Sequence, residues 1–265
     1  MPVALESSKT KIARRVIEVF EYFAQGHRSA TVMDIVRHFD RPQSSTSELL
    51  GSLVEMGLLC KDPQTRTYAP TPRLAALGVA AQPEPIASGR LFTYMDRLAQ
   101  SSRCGVALFG IVGTHVQVFR WVPAVNDEAH HAGSGKAALL CADTAGLLLL
   151  ASLGLDKAEK VLWRLRSEAR GDDGFDFQLA RDRVARFARQ GHAIGPSAFG
   201  ASANVAAVLL PGMQGQANLA LGAIYRDAAP VAPEALVATL EHGITHSFRS
   251  MPELHAGFLR SVSAG

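Results

Sequence analysis

The chain of 265 residues is long enough for one large domain or two ordinary ones, and its 27 basic and 24 acidic residues leave a formal net charge of +3. Hydrophobic residues make up 48% and charged residues 19%, a balance that builds packed cores and excludes an intrinsically disordered chain. So small an excess of positive charge is compatible with a polyanionic partner without requiring one, and any nucleic-acid-binding charge has to be local.

The cysteines, Cys60, Cys104 and Cys141, are scattered and form no CxxC pair, which points to a reducing compartment. The opening run MPVALESSKTKIARR lacks the apolar core of a signal peptide. The longest apolar stretch, 137–153, is broken by Asp143 and Thr144 and falls short of the roughly 20 residues of a membrane span. A cytoplasmic protein without a membrane partner is expected.

In chain order, Ile12, Val16, Val19, Phe20 and Phe23 recur at helical spacing and predict a first helix ending near Gln25-Gly26. Thr31 is suited to cap a short second helix with Val32, Ile35, Val36 and Phe39 on its apolar face. Asp40-Arg41-Pro42 breaks that pattern. A third helix carries Leu49, Leu50, Leu53 and Val54 on one side and stops at Gly57. Its start is open between Pro42, which fits a first helical position, and Ser45-Thr46-Ser47-Glu48, which reads as a capping box. Short extended runs on either side of Asp62-Pro63-Gln64-Thr65 predict a β-hairpin, and 73–77 looks helical. Two prolines in Ala80-Ala81-Gln82-Pro83-Glu84-Pro85 mark a linker.

Beyond the linker, Leu91, Tyr94, Met95 and Leu98 predict an amphipathic helix whose apolar stripe is available for pairing two protomers. Strands are expected at 106–112 and 116–122, helices at 136–153, 158–168 and 179–190, strands at 206–210 and 219–226, and a last helix at 233–248. This order predicts an α+β chain, its second domain a sheet covered by helices.

A long helix, a short helix, a tight turn and a third helix followed by a hairpin give a winged helix-turn-helix. The third helix buries its leucines and presents Gln43, Ser44, Ser45, Thr46 and Ser47 at its start, the small and amide-bearing surface that a helix inserted in a DNA major groove needs. Arg41, Lys61 and Arg66 supply local positive charge, and the helix N-terminus adds amides for phosphate. The stretch Arg41-Pro42-Gln43-Ser44-Ser45-Thr46, with Leu53-Val54-Glu55-Met56-Gly57-Leu58-Leu59, Arg66-Thr67-Tyr68, Thr71-Pro72-Arg73 and Leu77-Gly78, resembles the IclR family of transcription regulators. Gly133-Ser134-Gly135-Lys136-Ala137-Ala138-Leu139-Leu140 and the run 203–226 are similar to the family's second domain. The resemblance implies a DNA-binding domain over 1–73, linker helices over 74–103 and a GAF-like α/β effector-sensing domain over 104–265. It also implies a homodimer or dimer of dimers on a double-stranded operator, with no cofactor.

For the second domain, a pocket for an organic acid or aromatic effector is expected from alternating Val116, Val118, Arg120 and Val122 beside Phe109 and Trp121, with Arg120 receiving a carboxylate. Ser134 and Gly135, read as a helix start, offer amides to an anion. Under the resemblance, Ser197 and Asn204 join the effector-binding candidates. No catalytic set appears. The Gly133–Lys136 run has His130 where a phosphate loop needs its first glycine and Ala137 where it needs Ser or Thr, and the glycine spacing around Ser197 is wrong for a nucleophile elbow. His242 and His246 stand four apart and His130-His131 are adjacent, yet no cysteine or carboxylate completes a metal spacing. A winged-helix protein-interaction module and a metal-responsive regulator remain the alternative readings.

Overall fold

The computed structural model describes residues 8–82, 84–125, 133–169, 175–211, 218–226 and 232–248. They divide into two compact units between Gln82 and Pro83. The expected linker helices therefore separate, one to each unit. The His130–His131 pair lies outside the described residues.

The first unit begins with α1 (Ser8–Ala24), α2 (Val32–Phe39) and α3 (Gln43–Glu55). Val19, Tyr22 and Phe23 of α1, Ile35 of α2, and Leu50 and Leu53 of α3 converge in one core. Ile12, expected on the apolar face, is 60% exposed, because the apolar contacts of α1 with this core begin only at Val16. Thr31 caps α2 as expected: its hydroxyl accepts from Asp34 N, and Thr31 N donates to the Asp34 carboxylate at 2.8 Å. That backbone donor, with the Thr31 hydroxyl donating to the same oxygen, holds the Asp34 carboxyl below its usual range. Asp40, with φ 50°, takes the left-handed conformation that turns the chain from α2 into α3.

The hairpin forms from β1 (Leu59–Lys61) and β2 (Tyr68–Pro70), antiparallel with Leu59 opposite Pro70. Asp62 closes its tip by accepting from the backbone of Gln64 and Thr65. Tyr68 ties the hairpin to the helices through a two-way backbone bridge with Ala30. Thr71 then caps α4 (Pro72–Ala80), which buries none of its residues.

The second unit starts with α5 (Arg90–Ser102), β3 (Gly105–Val112), β4 (His115–Val122) and β5 (Ala137–Leu139). It continues with α6 (Thr144–Ala151), α7 (Leu155–Glu168), α8 (Phe177–Gln190) and β6 (His192–Pro196), and ends with β7 (Ala203–Leu209), β8 (Leu219–Arg226) and α9 (Pro233–Phe248). Among the described residues the strands form one antiparallel sheet in the order β5-β4-β3-β8-β7-β6. One face packs on α6, α7 and α8 through Phe109, Leu148, Leu162 and Phe187; the other packs on α5 and α9 through Leu108, Met95, Leu221 and Leu240. Both faces are covered, so central strands are buried along nearly their whole length. Helix α6 is apolar all round because it lies between the sheet and two further helices.

Three expectations change here. The 136–153 stretch is not one helix. It opens as strand β5 pairing with β4, passes through a short 3-10 turn, and becomes helical only where Asp143 caps α6. Strand β6 was not expected. The stripe of Leu91, Met95 and Leu98 is buried in the second unit's own core, so it is not a surface for pairing protomers.

Candidate nucleic-acid interface

The start of α3 resolves neither as Pro42 inside the helix nor as a serine cap. Pro42 is the residue before the first turn, no side chain caps it, and the first backbone bond runs from Thr46 N to Pro42 O at 3.1 Å. The amides of Gln43, Ser44 and Ser45 are therefore without an intrahelical acceptor, as the opening of a helix leaves them. Gln43, Ser44 and Ser47 are exposed, as are Lys61 and Arg66 on the hairpin. Lys61 Nζ lies 5.4 Å from the Tyr68 ring centre, and Arg66 sits at φ 57° where the hairpin tip rejoins β2. An exposed helix N-terminus rich in small polar side chains, beside a hairpin bearing two cations, is suited to hold phosphate and to meet base edges.

The remaining candidates have other partners. Thr46 is 1% exposed, and its hydroxyl donates to Pro42 O at 2.9 Å; Ser45 donates to the same carbonyl at 3.3 Å. Arg41 places Nη2 2.9 Å from the Glu18 carboxylate, and that pairing draws its charge inward. Arg41, Ser45 and Thr46 thus brace the first turn from behind, while Gln43, Ser44 and Ser47 form its outer side. Sequence reasoning passed over Arg15 and Glu18 on α1. Arg15 Nη2 donates to Ser45 Oγ at 3.2 Å and to Thr46 Oγ1 at 3.4 Å. The available signal was two charges set three apart alongside the apolar stripe of α1.

In the second unit the effector candidates divide between the two faces of the sheet. Phe109 and Val118 are fully buried neighbours, with the Phe109 ring centre 5.6 Å from that of Phe199. Between Val118 and Arg120 the register shifts, so that Leu108 faces Arg120 while Phe109 faces Val118 and Phe119 is the inserted residue of a β-bulge. The bulge turns Arg120 to the α5 side, where it binds Asp96 at 2.8 Å with its guanidinium 4.6 Å from the Phe92 ring centre. The alternation that grouped Val118 with Arg120 does not survive that extra residue.

Ser134 and Gly135 are not a helix start. Gly135 N donates to Val118 O at 2.7 Å, and Ser134 Oγ accepts from Trp121 N at 3.1 Å, so both extend the edge of β4. Asn204 is half-buried on β7, opposite Pro196 and Tyr225. Ser197 is buried and donates to Asp143 Oδ2 at 2.8 Å; the same oxygen accepts from Ala198 N, while Oδ1 accepts from Ala145 N and Gly146 N. Burial raises the Asp143 carboxyl above its usual range against the pull of these donors. Beside it Arg183 Nη2 donates to Thr144 Oγ1 at 2.6 Å, and Thr144 donates to Pro196 O at 2.8 Å. Among the described residues no three metal-ligating side chains gather, and no helix is long and apolar enough to cross a membrane.

Residues 13–63 match the IclR helix-turn-helix domain. In fold, the chain is similar to an IclR homologue from Microbacterium hydrocarbonoxydans complexed with 4-hydroxybenzoate, at 23% identity and a TM-score of 0.62 over 90% of this chain and 99% of that one. It is similar to an IclR-type transcriptional regulator from Alicyclobacillus acidocaldarius, at 17% identity and a TM-score of 0.59 over 91% and 96%. It is similar also to the IclR of Thermotoga maritima, at 14% identity and a TM-score of 0.61 over 91% and 98%. No curated protein matches the chain.

Proposed function

We propose that this chain, whose residues 13–63 are an IclR helix-turn-helix domain, is a cytoplasmic transcription regulator whose second unit senses a small organic metabolite and thereby modulates operator binding. The observation that carries this reading is the uncapped, outward first turn of α3 beside the cationic hairpin. Gln43, Ser44 and Ser47 are the base-reading group, with Gln43 suited to adenine, and Lys61 and Arg66 are phosphate contacts. Arg41, Ser45 and Thr46 hold that turn in place. Two or more protomers set two such helices in successive major grooves of one duplex.

An aromatic acid is the class of effector favoured, because a relative of the same fold holds 4-hydroxybenzoate. A ligand of this kind acts only through a difference in affinity between DNA-competent and DNA-incompetent states. A protein-interaction module is the weaker reading, since a Gln-Ser-Ser first turn is unlike the aromatic-rich, serine-poor core of a protein interface.

The test is footprinting on the intergenic DNA flanking the protein's own gene, with and without 4-hydroxybenzoate. A salt-sensitive protected site at micromolar protein or below is expected, and its absence would sink the regulator reading. Arg66→Ala should weaken binding evenly across sequences and lower the salt slope by about one. Gln43→Ala should cost about 1–3 kcal/mol of discrimination at one position. An unchanged protection on adding aromatic acids counts against the proposed effector class alone.

A further inference from the structure

The polar side chains behind the recognition turn form a closed ring joining α1, α3 and the turn that leads from α2 into α3. Arg15 of α1 donates to the Ser45 and Thr46 hydroxyls of α3, both of which donate onward to Pro42 O. Arg41, the residue before Pro42, returns to α1 by donating to both oxygens of Glu18, at 2.9 and 3.2 Å. Arg15, Glu18, Arg41 and Thr46 line one small cleft together with apolar Val19, Ile35, Phe39 and Leu49. The proton of each hydroxyl is committed to the carbonyl, so each oxygen meets Arg15 only as an acceptor. Ser45 and Thr46 are thus attachment points for Arg15.

The ring bears on function because α3 opens without a side-chain cap. A capped helix has its first turn fixed from within, whereas here the outward direction of Gln43 and Ser44 depends on what grips the turn from behind. We propose that Arg15 is a positioning residue for sequence recognition, setting through Ser45 and Thr46 the angle at which α3 presents Gln43 and Ser44 to DNA. This rests on the DNA-binding reading above and adds to it a residue on α1 that meets no base.

The experiment uses the full-length protein, the duplex it selects most tightly from a random pool, and an unrelated duplex. Arg15→Ala should weaken the selected duplex about tenfold. It should leave affinity for the unrelated duplex and the salt slope unchanged. The pair Ser45→Ala with Thr46→Val should reproduce that loss, and combining it with Arg15→Ala should add nothing, since both changes remove one linkage. Both contacts come from the one Nη2, so Arg15→Lys, whose ammonium has three donors, should keep part of the discrimination that Arg15→Ala loses. A salt slope reduced by about one, or additive losses, would mean that Arg15 meets phosphate directly and would overturn the proposal. If the unaltered protein selects no duplex, the regulator reading fails first; if it does and the Arg15 variants match it, only this inference fails.

Discussion

At the scale of single residues, Asp143 shows how a buried charge is held by geometry. Both of its oxygens face donors, two from the start of α6 and two from the segment after β6. An asparagine of the same shape would turn an NH2 group toward the Ala198 amide, donor against donor, and would deprive the Ser197 hydroxyl of its acceptor. Asp143→Asn should therefore destabilise the second unit by about 1–3 kcal/mol at neutral pH, although it removes a buried charge. Because the folded carboxyl titrates above its unfolded value, the cost of ionising it is absent below about pH 4 and complete only above the raised value. The deficit of the asparagine variant relative to wild type should thus widen on acidification, as read from denaturation midpoints at two pH values. An asparagine variant as stable as wild type would show that the clash at the former Oδ2 costs no more than burying the charge does.

Elements in this chain are joined by close approaches that a single methyl group can block. Tyr94 of α5 donates to Thr239 O of α9 at 2.8 Å, and burial pushes its hydroxyl up to about 12. Its ring lies against Gly243, where an added Cβ would overlap the phenol end of the Tyr94 side chain. Gly243→Ala should force α5 and α9 apart and cost about 1–3 kcal/mol, the range of overpacked cores, measurable by thermal unfolding. What could be read from sequence follows a related distinction. The helices of the first unit were legible because short turns and amphipathic periods are local, and the Thr31 cap lies within four residues. The β-bulge at Phe119 was not, because one inserted residue reverses which face Arg120 occupies while leaving the hydropathy pattern intact. Strand β5 was read as helix because Ala137-Ala138-Leu139 favours helix, and pairing with β4 overrides that preference. Of the candidate site, Gln43, Ser44, Ser47, Lys61 and Arg66 were readable as exposed polar residues. The inward roles of Arg41, Ser45 and Thr46 depend on Arg15 and Glu18, distant in sequence.

For the whole molecule, periodicity identified an apolar stripe on α5 without saying what it meets, and the second unit's own core supplies the answer. In the proposed oligomer, the surface that pairs protomers has to come from elsewhere. Helix α4 has Leu77 at 52% and Val79 at 54% exposure, with Leu74 at 36%, on an element that buries nothing. Exposed leucines three apart on a helix are suited to a matching helix of a second copy. Leu77→Glu should lower the mass seen by light scattering toward one protomer and weaken operator binding, since two half-sites are then engaged separately. An unchanged mass would place the contact on another surface.

The proline ahead of α3 carries a cost and a benefit that evolution or engineering can exchange. Aspartate or serine at position 42 would give the helix an internal acceptor for its opening amides, worth about 1 kcal/mol of stability. The same acceptor would compete with a phosphate for those amides, and aspartate would add repulsion. A sturdier protein with a feebler grip on DNA is the outcome to expect from Pro42→Asp, a direct exchange of stability for affinity at a single position.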